Sequence, residues 1–159
     1  MNPSNEKRLS RSEVPVHMTW NLEDLFPNRE TWKQDLMALE ASIVDITKYQ
    51  GHLCEHPDQL FACLKVYEQF NTKLIRLGTY ASLHQSEDAT NTAYQEDSLL
   101  FGSIVAALDS KTKFISSEIT DLSEDTYRSF FELLPELNTY KLMLDETRSE
   151  ERRVGKECR

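Results

Sequence analysis

The sequence predicts an all-α protein, an antiparallel bundle of about five helices, three of them long. Three observations carry that expectation. The 159 residues include only four glycines and five prolines, too few to punctuate many short strands. Apolar residues recur at alternating intervals of three and four, the repeat of a helix face rather than of a strand. Polar residues with capping chemistry stand just ahead of those stripes, and helix breakers stand behind them.

Taken in order, residues 1–18 read as an irregular arm, because Asn2, Pro3, Ser4, Ser10, Ser12 and Pro15 all oppose regular structure. A helical domain is expected over 19–147. It opens at Trp20–Phe26, where a short turn capped by Asn21 puts Leu22, Leu25 and Phe26 on one face and Pro27 ends it. Asn28 then caps a long helix whose stripe is Trp32, Leu36, Leu39, Ile43 and Ile46, with Gly51 as its stop. Pro57 suits the first position of a second long helix, since the N–H it lacks has no partner there. That helix buries Leu60, Leu64, Tyr67, Leu74, Leu77 and Ala81, widened by Cys63, Phe70 and His84. The polar run 86–91 is a hinge. A third helix follows with Tyr94, Phe101, Val105 and Leu108, continuing to Phe114 or Ile115. Ser123 caps a short fourth through Tyr127, Phe130, Phe131 and Leu134, and Pro135 breaks it. Leu137, Tyr140 and Leu144 begin the fifth.

Residues 148–159 differ in kind. They carry five basic and three acidic side chains against 13 and 24 in residues 1–147, one aliphatic residue and no aromatic, so they read as a solvated, disordered tail.

Charge restricts the partners. A formal net charge of -9 repels a phosphate backbone and an anionic lipid surface, which argues against nucleic acid and membrane. No stretch approaches the roughly 20 apolar residues that span a bilayer, and Met1–Val16 has no apolar signal-peptide region. Three irregularly spaced cysteines, Cys54, Cys63 and Cys158, fit free thiols in a reducing compartment.

One stretch has metal-ligand spacing: His52-Leu53-Cys54-Glu55-His56 fits the inverted zinc-protease pattern H-x-x-E-H. That chemistry needs both imidazoles one helical turn apart on one ion, with the glutamate handling a water. Gly51 and Pro57 flank the motif directly, so the five residues read as the polar connection between two helices. The H-E-x-x-H helix, the P-loop, the dinucleotide fingerprint and G-x-S-x-G are absent from the sequence. The acidic pairs Glu23/Asp24, Glu124/Asp125, Asp145/Glu146 and Glu150/Glu151 read as charge at helix starts and on exposed faces. The aromatic stripe of Trp32, Tyr67, Phe70, Tyr80, Tyr94 and Phe101 reads as core packing. No residue is assigned as catalytic, metal-binding or cofactor-binding.

Several segments nevertheless look familiar. Glu13-Val14-Pro15 with Thr19-Trp20-Asn21-Leu22-Glu23-Asp24-Leu25-Phe26-Pro27 resembles the opening of oligoendopeptidase F-type zinc metallopeptidases, in the thimet oligopeptidase-like clan. Tyr80-Ala81-Ser82-Leu83 followed by Asp88, Asn91, Tyr94 and Gln95 is similar to that family's junction between its second and third helices. Leu137, Tyr140, Leu144, Asp145 and Glu146 resemble its L-x-x-Y-x-x-x-L-D-E stretch. The resemblance covers residues 13–146. It implies a cytoplasmic enzyme that cuts short peptides in a deep channel, with zinc held by an H-E-x-x-H helix and a downstream glutamate. Those residues have no counterpart here, so the resemblance implies an N-terminal, channel-wall part, inactive alone, with no cofactor of its own and zinc in the full-length parent. Its peptide partners would be met through the catalytic lobe. The string from Arg148 departs from the family and resembles translated adaptor sequence found at the ends of misassembled reading frames; it is read as non-native. A reading of a different class, a self-standing acidic helical interaction module, predicts a specific protein partner instead.

Overall fold

The computed structural model describes the backbone of residues 13–157 and the side chains of residues 13–149. The part of the expected arm that falls in residues 1–12 lies outside the described residues. Of the remainder, Val16–Met18 forms a single 3-10 turn, closed by Met18 N–H to the Pro15 carbonyl at 2.9 Å.

The elements are α1 (Arg29–Ala41), a one-turn α2 (Val44–Thr47), α3 (Pro57–Glu87), α4 (Thr92–Asp121), α5 (Glu124–Leu133) and α6 (Lys141–Glu157). Two further 3-10 segments, Leu22–Asp24 and Pro135–Tyr140, precede α1 and α6. No strand occurs among the described residues, so the all-α expectation holds. The backbone of the bundle is the antiparallel pair α3 and α4, of 31 and 30 residues. At 1.5 Å per residue each is about 45 Å long. α1 and α2 lie on one flank of this pair, and α6 packs along α4 on another.

Local chemistry explains most boundaries. The Asn28 side-chain oxygen accepts the Thr31 N–H at 2.8 Å and starts α1. Asn91 caps α4 through the Ala93 N–H at 3.0 Å, and Ser123 caps α5 through the Thr126 N–H at 3.1 Å. Pro57 begins α3, and Gly51 takes φ +87°, a left-handed conformation that costs glycine nothing. Asn21 departs from expectation: its amide donates to Asp24 Oδ1 at 2.9 Å and caps no backbone group. The helix begun at Arg29 also ends earlier than its stripe. Ser42 Oγ bonds back to the Leu39 carbonyl at 2.8 Å, the chain turns, and Ile43 and Ile46 reach the core from α2.

The core is contiguous and apolar. Trp32, Leu36, Ile46, Leu53, Leu60, Cys63, Leu137 and Leu144 are all but fully enclosed. The face of α4 differs from the expected one at a single position. Ile104, not Val105, is buried with Leu108, and both Phe114 and Ile115 are inside. Gly78 lets α3 and α4 approach closely, since a Cβ there would lie 2.7 Å from the Phe101 ring. Gly102, also on α4, has open space around it. Gly102→Ala is therefore expected to stabilise the fold by about 0.5–1 kcal/mol, read as a higher urea midpoint at an unchanged slope.

Where a disordered tail is expected from residue 148, α6 continues as helix to Glu157; residues 158–159 lie outside the described residues. Arg148 is buried, and its guanidinium donates to the Ile119 and Leu122 carbonyls at 2.8 and 2.9 Å. The end of α4 leaves these carbonyls without helical partners, and a cation there also meets the negative end of the helix dipole.

Tyr140 ties the start of α6 to α3, its hydroxyl donating to Glu68 Oε2 at 2.7 Å. Loss of solvent and then the adjacent Glu68 push the phenol up to about 12. A raised tyrosine pKa means that folding favours the neutral form. Its contribution is complete below the unfolded value of about 10 and fades as pH rises through about 12. Urea titrations across that window should show a steeper alkaline loss of stability for the native chain than for Tyr140→Phe.

Candidate functional site

Two of the three segments that carry the family resemblance, residues 19–27 and 80–95, come together at one end of the bundle. Phe26 meets the Tyr80 ring edge-on at 5.3 Å, and Trp32 stacks on the same ring at 5.9 Å. Tyr80 in turn touches His84 at 4.4 Å, and His84 lies against Tyr94 at 4.5 Å. His84 Nδ1 is 3.5 Å from Glu87 Oε2, both side chains being mostly enclosed. Between this aromatic column and the Val16–Asn28 strap is a cleft of about 580 Å³, lined by Trp20, Glu23, Phe26, Tyr80, His84, Glu87 and Tyr94 among others. Tyr80 and Tyr94, expected as packing residues, thus serve both the core and the cleft.

A charged clamp lies next to the cleft in sequence, from Arg29, which follows the lining residue Asn28. Arg29 grips the buried Asp97 with two bonds, Nε to Oδ2 at 2.6 Å and a terminal nitrogen to Oδ1 at 2.8 Å, and also reaches the Ala93 carbonyl at 3.2 Å. This fixes the start of α1 on the start of α4, and the paired carboxylates raise the Arg29 pKa. The hinge is equally determined. Asp88 accepts the Thr90 N–H and hydroxyl at 3.0 and 2.6 Å, bonds that lower its pKa. Gln95 donates to the Ala89 carbonyl at 2.7 Å. Asp88, Asn91 and Gln95 therefore shape the hinge, while Tyr94 faces the cleft.

His52–His56 lies at the turn between α2 and α3. His52 Nδ1 is 3.0 Å from Glu55, whereas His56 Nδ1 is 2.7 Å from Asp58. The two imidazoles are engaged with different carboxylates, and among the described residues no three His, Cys, Asp or Glu side chains gather as a metal would require. The motif does not fit a zinc site. What the turn does have is Glu118 of α4, whose carboxylate accepts the Gly51 N–H at 2.6 Å and the Leu53 N–H at 3.0 Å. Cys54 Sγ donates to the Glu118 carbonyl at 3.2 Å. Burial and Glu118 push the Cys54 thiol up and the buried Cys63 thiol to about 12. Both are free and held as neutral thiols. Glu118→Ala is expected to cost about 1.5–3 kcal/mol in urea unfolding, with Glu118→Gln recovering part of it.

Sequence reading missed Arg29–Asp97, Glu118 and Arg148. Each is a single charged residue without a local motif, and its partner is distant in the chain.

No family model matches the chain. It is 32% identical over 140 residues to oligopeptidase PepF of Bacillus subtilis, covering 88% of this chain and 21% of that protein. Against the chromosomal oligoendopeptidase F of Lactococcus lactis subsp. cremoris it is 27% identical over 139 residues, 86% of this chain and 23% of the relative. A crystal structure of a candidate peptidase from Chlamydophila abortus superposes with a TM-score of 0.73 at 25% identity, over 88% of this chain and 24% of that one. The class these proteins define is the oligopeptidases. More narrowly, the chain is similar over most of its length to oligoendopeptidase F-type peptidases and spans about a fifth to a quarter of the relatives' length.

Proposed function

We propose that the chain is the N-terminal, channel-wall part of a zinc metalloendopeptidase that hydrolyses short oligopeptides in the cytoplasm, and that it has no catalytic activity alone. The observation that carries this reading is the length relation, a chain matched over 88% of itself to 21% of an oligopeptidase. The sequence supports it further, because none of its four histidines opens an H-E-x-x-H helix, which the zinc and general base of the family require. In this reading α3 and α4 are a rigid wall and the catalytic lobe supplies zinc and general base. No helix among the described residues is long and apolar enough to span a bilayer.

A quenched fluorescent oligopeptide tests the proposal. The isolated chain should leave it uncut with and without added zinc. The same chain extended to the length of its relatives should cut it and lose that activity to a chelator. Turnover by the isolated chain would overturn the inactivity, and an inert extended chain would overturn the enzymatic assignment.

A further inference from the structure

We propose that the cleft at the Trp20 end of the bundle binds a cationic side chain, the guanidinium or ammonium of an arginine or lysine carried by a peptide. Trp20 is 61% exposed although it is among the largest apolar side chains of the protein, and it lines the cleft, as does the half-buried Tyr94. An exposed indole face carries the negative quadrupole that attracts cations. The molecule already uses this chemistry next door. Arg76 lies 4.8 Å from the centre of the Phe26 ring, which also lines the cleft, and donates to the Leu25 carbonyl.

The sign of the lining agrees. Its described residues include two carboxylates and no lysine or arginine. Glu87 is engaged with His84, so the carboxylate assigned to the ligand is that of Glu23, exposed on the 3-10 turn directly after Leu22. The protein as a whole has the same sign, a formal net charge of -9 that favours approach of a cation. Size also fits. About 580 Å³ lies within the usual span of ligand sites and exceeds one side chain, leaving room for a short stretch of peptide beside it.

The inference rests on the proposed function only for the peptide that carries the cation. Binding is read without catalysis, so a failed titration and a failed cleavage assay remain separate results. The test titrates the intact chain with a blocked tetrapeptide containing arginine, with the same peptide containing neutral citrulline, and with N-acetyl-arginine amide. Calorimetry gives affinity. Tryptophan emission reports the site, because Trp20 is solvent-facing while Trp32 is enclosed. The arginine peptide should bind about tenfold tighter than the citrulline peptide, weaken with salt and perturb Trp20. Trp20→Ala and Glu23→Gln, both at exposed positions, should each weaken it by about threefold to tenfold with an unchanged helical spectrum. Equal binding of arginine and citrulline peptides, no binding of either, or binding untouched by both substitutions would overturn the proposal. Equal affinity for the amide and the tetrapeptide would keep the cation site and overturn its peptide specificity.

Discussion

Trp32→Ala should lose about 3–5 kcal/mol of unfolding free energy, the largest single-residue effect expected in this protein. The indole is fully enclosed, stacks on Tyr80 at 5.9 Å with planes 26° apart, and donates its N–H to the Leu77 carbonyl at 2.9 Å. Truncation to alanine removes the ring's transfer free energy and leaves a cavity that three helices and a strap must collapse into. A domain of this size has only about 5–15 kcal/mol to lose. Trp32→Phe separates the two contributions. It keeps an aromatic ring in the space and deletes the donor, and should cost about 1–3 kcal/mol. Urea unfolding followed by helical circular dichroism measures both. Similar losses for the two variants would mean that the hydrogen bond, rather than the volume, dominates. The effect reaches the cleft as well, because Tyr80 is the ring on which Trp32 stacks and a wall of the cleft.

Trp32 also marks what could be read before folding. Its place in a stripe at intervals of four and three is a local property, and so are the caps at Asn28, Asn91 and Ser123, the Pro57 start and the Gly51 stop. The caps and the Pro57 start came out as read, because a cap bonds a backbone group two or three residues away; Gly51 makes a left-handed turn, but the helix it was to stop had already ended at Ala41. The errors came where local pattern was ambiguous or a competing local bond won. Val105 and Ile104 both fit an apolar face, and only packing against α3 and α6 selects between them. Ser42 shortened α1 by bonding back to Leu39. The site was legible in pieces: Trp20, Tyr80 and Tyr94 stood in segments that resembled one family, but their meeting depends on how α3 and α4 pair. Glu118 reaching Gly51 and Arg29 reaching Asp97 span 67 and 68 residues, and no single-residue signal announces such pairs.

The same limitation, one charged residue with a remote partner, applies to Arg148, where composition pointed the wrong way. Twelve residues were grouped by their charge and lack of apolar character, yet the first of them is inside the bundle. Its guanidinium satisfies two carbonyls at the end of α4, lies 4.4 Å from the Tyr127 ring centre and is 3.3 Å from Glu124 Oε2. Tyr127 in turn donates to Asp145 at 2.6 Å, and its pKa is raised by burial and by that carboxylate. Arg148→Ala should therefore cost about 2–4 kcal/mol, since charged bonds to buried carbonyls are lost and those carbonyls stay enclosed. Arg148→Lys keeps the charge but not the planar guanidinium, whose Nη1 serves both carbonyls while Nη2 reaches Glu124, and should recover less than half of the loss. A chain ending at Thr147 should be at least as destabilised as Arg148→Ala in the same urea titration. If that shorter chain unfolds at the native midpoint, the bonds to Ile119 and Leu122 contribute nothing net. The stability of α6 then lies with Leu137 and Leu144, which are wholly buried ahead of them.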